Sequence, residues 1–264
     1  MKKYQKIAIL LVTILSFLAS IVFAATENSS ALEEEANTQI TAAITSKVEY
    51  VLEPIASNEK IEKIKDFKDE MTNKNLAQIY TDNYIVSLDS SSKELVGLYQ
   101  RYAKYNLNTT EDKNIAENFI NSKYSEMNLP SDYKLVYLEK FDDYVWEADY
   151  QKEYNGVYNM YEAVKVFFNP ENKEIVALTI FNEKYTDTSS EAISEESAIN
   201  SASTVSDEKI VNSELTLIKS NNYYDKENND KSIHKAWVLT TEKENKIYVD
   251  SASGEIIGGD GFND

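Results

Sequence analysis

Residues 84–98 read YIVSLDSSSKELVGL, residues 164–178 read VKVFFNPENKEIVAL, and residues 246–259 read KIYVDSASGEIIGG. The three stretches align without gaps. Each is an apolar alternating run followed by Asp89, Asn169 or Asp250, three turn residues, Lys93, Lys173 or Gly254, then Glu94, Glu174 or Glu255 and a second short apolar run. The anchors fall 80 and 81 residues apart, which marks an internal repeat. Strand, acidic or amide turn, strand is the expected signature of a β-hairpin.

Working outward, the same period recovers a helix ahead of each hairpin. Ser30-Ala-Leu-Glu33 reads as a capping box, with Leu32, Ala36, Ile40 and Ile44 following on one face. Thr110 precedes Glu111, Asp112, Ile115, Phe119 and Ile120, and Ser194 precedes Glu195, Glu196, Ala198, Ile199, Ala202 and Val205. Acidic residues in a first turn oppose the helix dipole. Between helix and hairpin the middle copy predicts strands at 133–138 and 144–154, with Asn155-Gly156 as the strongest hairpin turn in the chain. The last copy predicts strands near 214–219 and 233–241, split by a polar loop. In the first copy, Pro54 ends the helix and a second helix is expected over about 59–74.

Residues 1–24, MKKYQKIAILLVTILSFLASIVFA, carry Lys2, Lys3 and Lys6, an apolar run, and small residues at Val22 and Ala24. That is the pattern of a secretory signal peptide cut after Ala24, so the protein is expected to be secreted or held on the outer face of the cell envelope. Membrane association is expected only through this segment, if it stays uncleaved. Its removal leaves 24 basic against 45 acidic residues, a balance of −21. Such a field repels phosphate backbones and argues against nucleic acid as partner. The absence of Cys rules out disulfides and thiolate chemistry, while 42% hydrophobic residues suffice for a real core.

The expected organisation is therefore a signal peptide (1–24), a divergent helix-rich first unit (25–109), a middle unit (110–188) and a C-terminal unit (189–264). The expected fold class is α+β, with tandem units that each pack a helix on a small antiparallel β-meander.

The last unit, ISEESAINSA followed by KAWVLTT and NKIYVDSASGEII, resembles a PepSY domain, the module named for peptidase propeptides. The middle unit, WEADYQKEYNGVYNMYEAVKVFFNPENKEIVAL, is similar to the longer PepSY-like form of YcdB/YcdC-type repeats. The resemblance rests on the helix starts, the Trp-bearing strands at Trp146 and Trp237, and the turn at Asp250. It implies an exported, non-enzymatic module that binds protein, in some relatives inhibiting peptidases or restraining them near the cell surface.

The residues suggest little catalytic chemistry. His234 is the only imidazole, Ser232 lies two residues away without a nucleophile elbow, and a lone His cannot build a zinc site. Ser90-Ser-Ser-Lys93 matches S-x-x-K but sits in a repeated turn whose other copies carry Pro170 and Ser251. The acidic tail 258–264 resembles one turn of a calcium-binding repeat that needs stacked copies. No catalytic residue, cofactor or metal ligand is expected. Tyr144, Trp146, Tyr150, Tyr154, Tyr158 and Trp237 form the candidate binding face, read either as core beneath a helix or as a platform for peptide or wall polymer. The expected partner is a protein, with a secreted or envelope peptidase as the expected class, captured by strand addition to a free sheet edge.

Overall fold

Left-handed turn residues between apolar runs divide this chain mainly into strands. The structure, a computed structural model, describes residues 34–56, 58–70, 73–102, 108–186, 192–224 and 230–261. The expected leader, the capping box at 30–33, residues 103–107 and 187–191, part of the expected polar loop at 221–231, and residues 262–264 lie outside them.

In chain order the elements are α1 (Glu34–Leu52), β1 (Ile61–Asp69), β2 (Lys74–Thr81), β3 (Tyr84–Asp89) and β4 (Leu95–Gln100). They are followed by α2 (Lys113–Glu126), β5 (Tyr133–Lys140), β6 (Trp146–Tyr154), β7 (Val157–Asn169) and β8 (Glu174–Asn182). The last are α3 (Glu195–Ala202), β9 (Ile210–Lys219), β10 (Ile233–Thr241), β11 (Lys246–Asp250) and β12 (Ile256–Asp260). One sheet has eight strands in the order β1-β2-β3-β4-β8-β7-β6-β5, and a second has four in the order β12-β11-β10-β9.

This architecture corrects the expected fold class. The described chain is mostly antiparallel β, with two sheets and three helices, and not a tandem array of α+β units that each set a helix on a private meander. The physical reason is the pairing of β4 with β8, in register from Gly97↔Thr179 to Tyr99↔Ala177. Strands from distant parts of the chain thereby share one hydrogen-bonded sheet. The second helix expected over 59–74 is also corrected, because β1 and then β2 occupy that stretch. Ile61, Ile64 and Phe67 recur every third residue and mimic a helical stripe. Pairing with β2, Ile64↔Ile79 and Phe67↔Leu76, overrides that spacing.

The three aligned turns share one geometry. Lys93, Lys173 and Gly254 occupy the same place in the alignment and all are left-handed, with φ of 59°, 56° and 76°. Amides of Ser91 and Ser92 donate to Asp89 Oδ1, and those of Ala252 and Ser253 to Asp250 Oδ1, all at 2.8–2.9 Å. The following amide ties the turn to a neighbouring strand, Ser90 N–H to Asn75 O at 2.8 Å and Ser251 N–H to Lys235 O at 2.9 Å. Pro170 has no amide to donate. There Asn169 Nδ2 donates to Tyr144 O at 2.7 Å instead, a bond an aspartate could not make. The two indoles are also equivalent: Trp146 Nε1–H donates to Thr110 O and Trp237 Nε1–H to Ile193 O, each at 3.0 Å. Both carbonyls lie just ahead of a helix cap, Asp112 or Ser194.

Two compact units divide the chain. The first holds residues up to Ser131 with Leu138–Ala148 and Lys165–Ile180. In it α1 buries Ile44, Val48, Val51 and Leu52, worth roughly 2 kcal/mol for each side chain removed from water. Helix α2 buries Ala116, Ile120 and Tyr124 and stacks Phe119 on Phe168, while Ile115, expected on the inner face, is exposed. The second unit holds Asp132–Tyr137, Asp149–Val164 and residues from Phe181 onward. Here Ala198 and Ala202 of α3 pack with Leu239, Ile247 and Val249 of the four-stranded sheet.

Candidate functional site

Every open sheet has edges, and an edge is a row of unpaired amides and carbonyls unless something covers it. Strand β1 protects its edge with charge: Glu62, Lys63, Lys65, Asp66, Lys68 and Asp69 supply six of its nine residues. The outer edge of β12 is covered by Asn221. Its amide donates to Ile257 O at 2.9 Å, its Nδ2 donates to Gly259 O at 2.8 Å, and Gly259 N–H donates to Asn221 Oδ1 at 3.1 Å. One side chain thus imitates a further strand. Gly258 and Gly259 make room for it, since a Cβ at 258 would meet Asn221 Oδ1 at 2.6 Å and one at 259 would meet Tyr224 Cε2 at 2.3 Å. The glycines of the expected calcium-like tail therefore have a packing role in β12.

Strand β9 differs. It is the other edge of the four-stranded sheet, paired only with β10 there. Lys219 N–H turns outward to Tyr161 Oη at 3.2 Å, while Ser220 N–H turns inward to Ser232 O at 3.4 Å. Because amide direction alternates along a strand, Leu217, Leu215 and Ser213 also point their amides and carbonyls away from β10. Leu217 is covered. Among the described residues no second strand pairs with β9 from Leu215 back to Val211, and Val211 is 58% exposed.

Against residues 214–216 of β9 lies a groove of 620 Å³ within the second unit. Leu135 and Val136 of β5 and Tyr158 and Met160 of β7 also line it. Tyr158 and Met160 are 40% and 53% exposed. Glu214 is the one charged residue among those lining it. Further along β9, Lys219 Nζ pairs with Glu183 at 2.6 Å and stands 4.9 Å from the Tyr161 ring centre.

The aromatic residues singled out in the sequence do not form one open face. Trp146 and Tyr150 are each 4% exposed and belong to the core, and Tyr144 packs beside Val145 and Phe167. Trp237 packs against the α3 cluster. Tyr154 donates to Glu162 and meets Tyr185 edge-on; burial, then its bond to that carboxylate, pushes its hydroxyl up to about 12. Tyr158 alone of the six is exposed, and it lies in the groove. Sequence reasoning missed Leu135, Met160 and Leu215, whose only signal was a place on strands with no way to foresee which edge stays bare.

The chain's single imidazole gathers more partners than expected. His234 Nε2 lies 2.8 Å from Ser232 Oγ and 2.8 Å from Asp230 Oδ2, and Nδ1 lies 3.0 Å from Asp250 Oδ2. Ser232 Oγ itself donates to Asp230 Oδ2 at 2.8 Å. Burial would raise the Asp250 carboxyl, but bonds from the Ser253 and Ala252 amides and from His234 hold it below the usual range. With a carboxylate beside each ring nitrogen, the ring clasps the start of β10 to the β11–β12 turn.

Among solved structures, the fold is similar to the C-terminal domain of YpeB from Bacillus megaterium, with a TM-score of 0.50 and 12% identity over 91% of this chain and 100% of that one. At this identity the likeness concerns the fold alone. No protein-family model and no curated protein matches the chain.

Proposed function

We propose that this chain is an exported, non-catalytic module of PepSY-like fold that acts at the bacterial cell envelope by binding protein, capturing an extended segment along β9. The observation that carries the reading is the contrast among three strands: β12 is covered by Asn221 and β1 by charge, while β9 turns the Leu215 amide and carbonyl away from β10, beside a groove of mixed polar and apolar lining. Strand addition of this kind draws affinity from main-chain bonds and specificity from alternate side-chain positions. A protease cleft also binds polypeptide in extended form, so a secreted or envelope peptidase is the partner class this surface suits. The rival reading, a wall-polymer platform on Tyr and Trp, is weakened by the burial of Trp146 and Tyr150.

The test is titration of the purified chain into envelope peptidase activity, with intact-mass analysis of the added protein. Saturable inhibition by uncut protein is expected, lost with Leu215→Pro and kept with Tyr102→Ala, an exposed substitution in the first unit. Simple digestion of the chain, or no inhibition at saturation, removes the peptidase role.

A further inference from the structure

We infer that the segment accepted by β9 alternates apolar and basic side chains. This inference rests on the strand-addition reading above and specifies the partner's chemistry.

The argument starts from the faces of β9. Leu215 pairs with Trp237 and Ser213 with Leu239, so these residues share the face on which Trp237 and Leu239 meet α3. The hydroxyl of Ser213 donates to Glu195 of α3 on the same side. Glu214 and Thr216 pair with Val238 and Ala236 and face the opposite way. A strand added at Leu215 therefore places successive side chains alternately beside Leu215 and beside Glu214. The first position lies beside the Leu215 side chain, and Met160, which also lines the groove, is a side chain that adapts to irregular shapes. The second meets the groove's one charge, a carboxylate exposed on a chain whose net charge is −18. An acidic segment would face like charge at short range and across the whole field, whereas a Lys or Arg there is complementary. The same field opposes a second copy of this chain as the occupant.

The experiment uses the full chain and three blocked eight-residue peptides of alternating Val with Lys, Gln or Glu, each dye-labelled and followed by fluorescence anisotropy at 50 and 500 mM NaCl. The Lys peptide is expected to bind about fivefold more tightly than the Gln peptide at low salt, with the Glu peptide weakest and the spread collapsing at high salt. Glu214→Lys, an exposed change that leaves the ladder intact, is expected to reverse the order. Leu215→Pro is expected to abolish binding of all three. Equal binding of the three peptides that Leu215→Pro still abolishes overturns the charge preference and leaves the edge reading standing. Binding that survives Leu215→Pro in a folded variant, or no binding by any peptide, overturns both. A dimer by sedimentation that Leu215→Pro dissociates assigns the edge to a second copy and overturns the basic occupant.

Discussion

Asp89 shows how one side chain can govern a turn. Its carboxylate collects the Ser91 hydroxyl and the Ser91 and Ser92 amides, and these bonds, the Ser91 hydroxyl first, hold its titration at about 2. A carboxyl depressed in the folded state adds stability above its unfolded value, near 3.9, and loses it as pH falls toward 2. Ser91→Ala is expected to raise the Asp89 midpoint, read by carbon NMR of the side-chain carboxyl, and to narrow the pH window over which the turn's contribution is lost. An unchanged midpoint would mean the hydroxyl bond has no weight. The residue is only half-buried and solvent screens its charge, so the effect on global stability is small. This turn was legible in the sequence because the three copies set Asp, Asn and Asp in register. The need for Asn beside Pro170 became plain only when the Tyr144 carbonyl was found within reach.

At the scale of elements, hairpins were easier to read than their partners. Asn155-Gly156 joins β6 to β7 with φ of 50° and 82°, the two left-handed residues such a turn demands. Ser194 caps α3 as its sequence implied, while α2 begins two residues later than expected, at the Asp112 cap. The helix expected over 59–74 failed because a three-residue apolar spacing fits both a helix stripe and a bulged edge strand. Strand β12 carries the sharpest packing test. In Gly259→Ala the new methyl would meet Lys246 O at 2.5 Å as well as Tyr224. Backbone cannot swing aside as a side chain can, so a loss of about 1–3 kcal/mol is expected in urea unfolding. A loss below about 0.5 kcal/mol would show that the Asn221 cap tolerates displacement.

For the whole molecule, 45 acidic against 27 basic residues produce self-repulsion that salt screens. The thermal midpoint is expected to rise between 20 and 300 mM NaCl, and a fall would indicate that pairs such as Lys165–Glu147, at 2.6 Å, outweigh the net field. Local sequence specifies the aligned turns and the Ser194 cap, because these depend on residues within a few positions and on side chains with few ways to satisfy a backbone. The sequence also carried the 80-residue period. Tertiary structure alone decided that β4 would join β8, that Asn221 would cover one edge, and that β9 would remain open beside a groove. Those outcomes depend on groups tens of residues apart competing for the same unpaired amides, and no local pattern ranks the competitors.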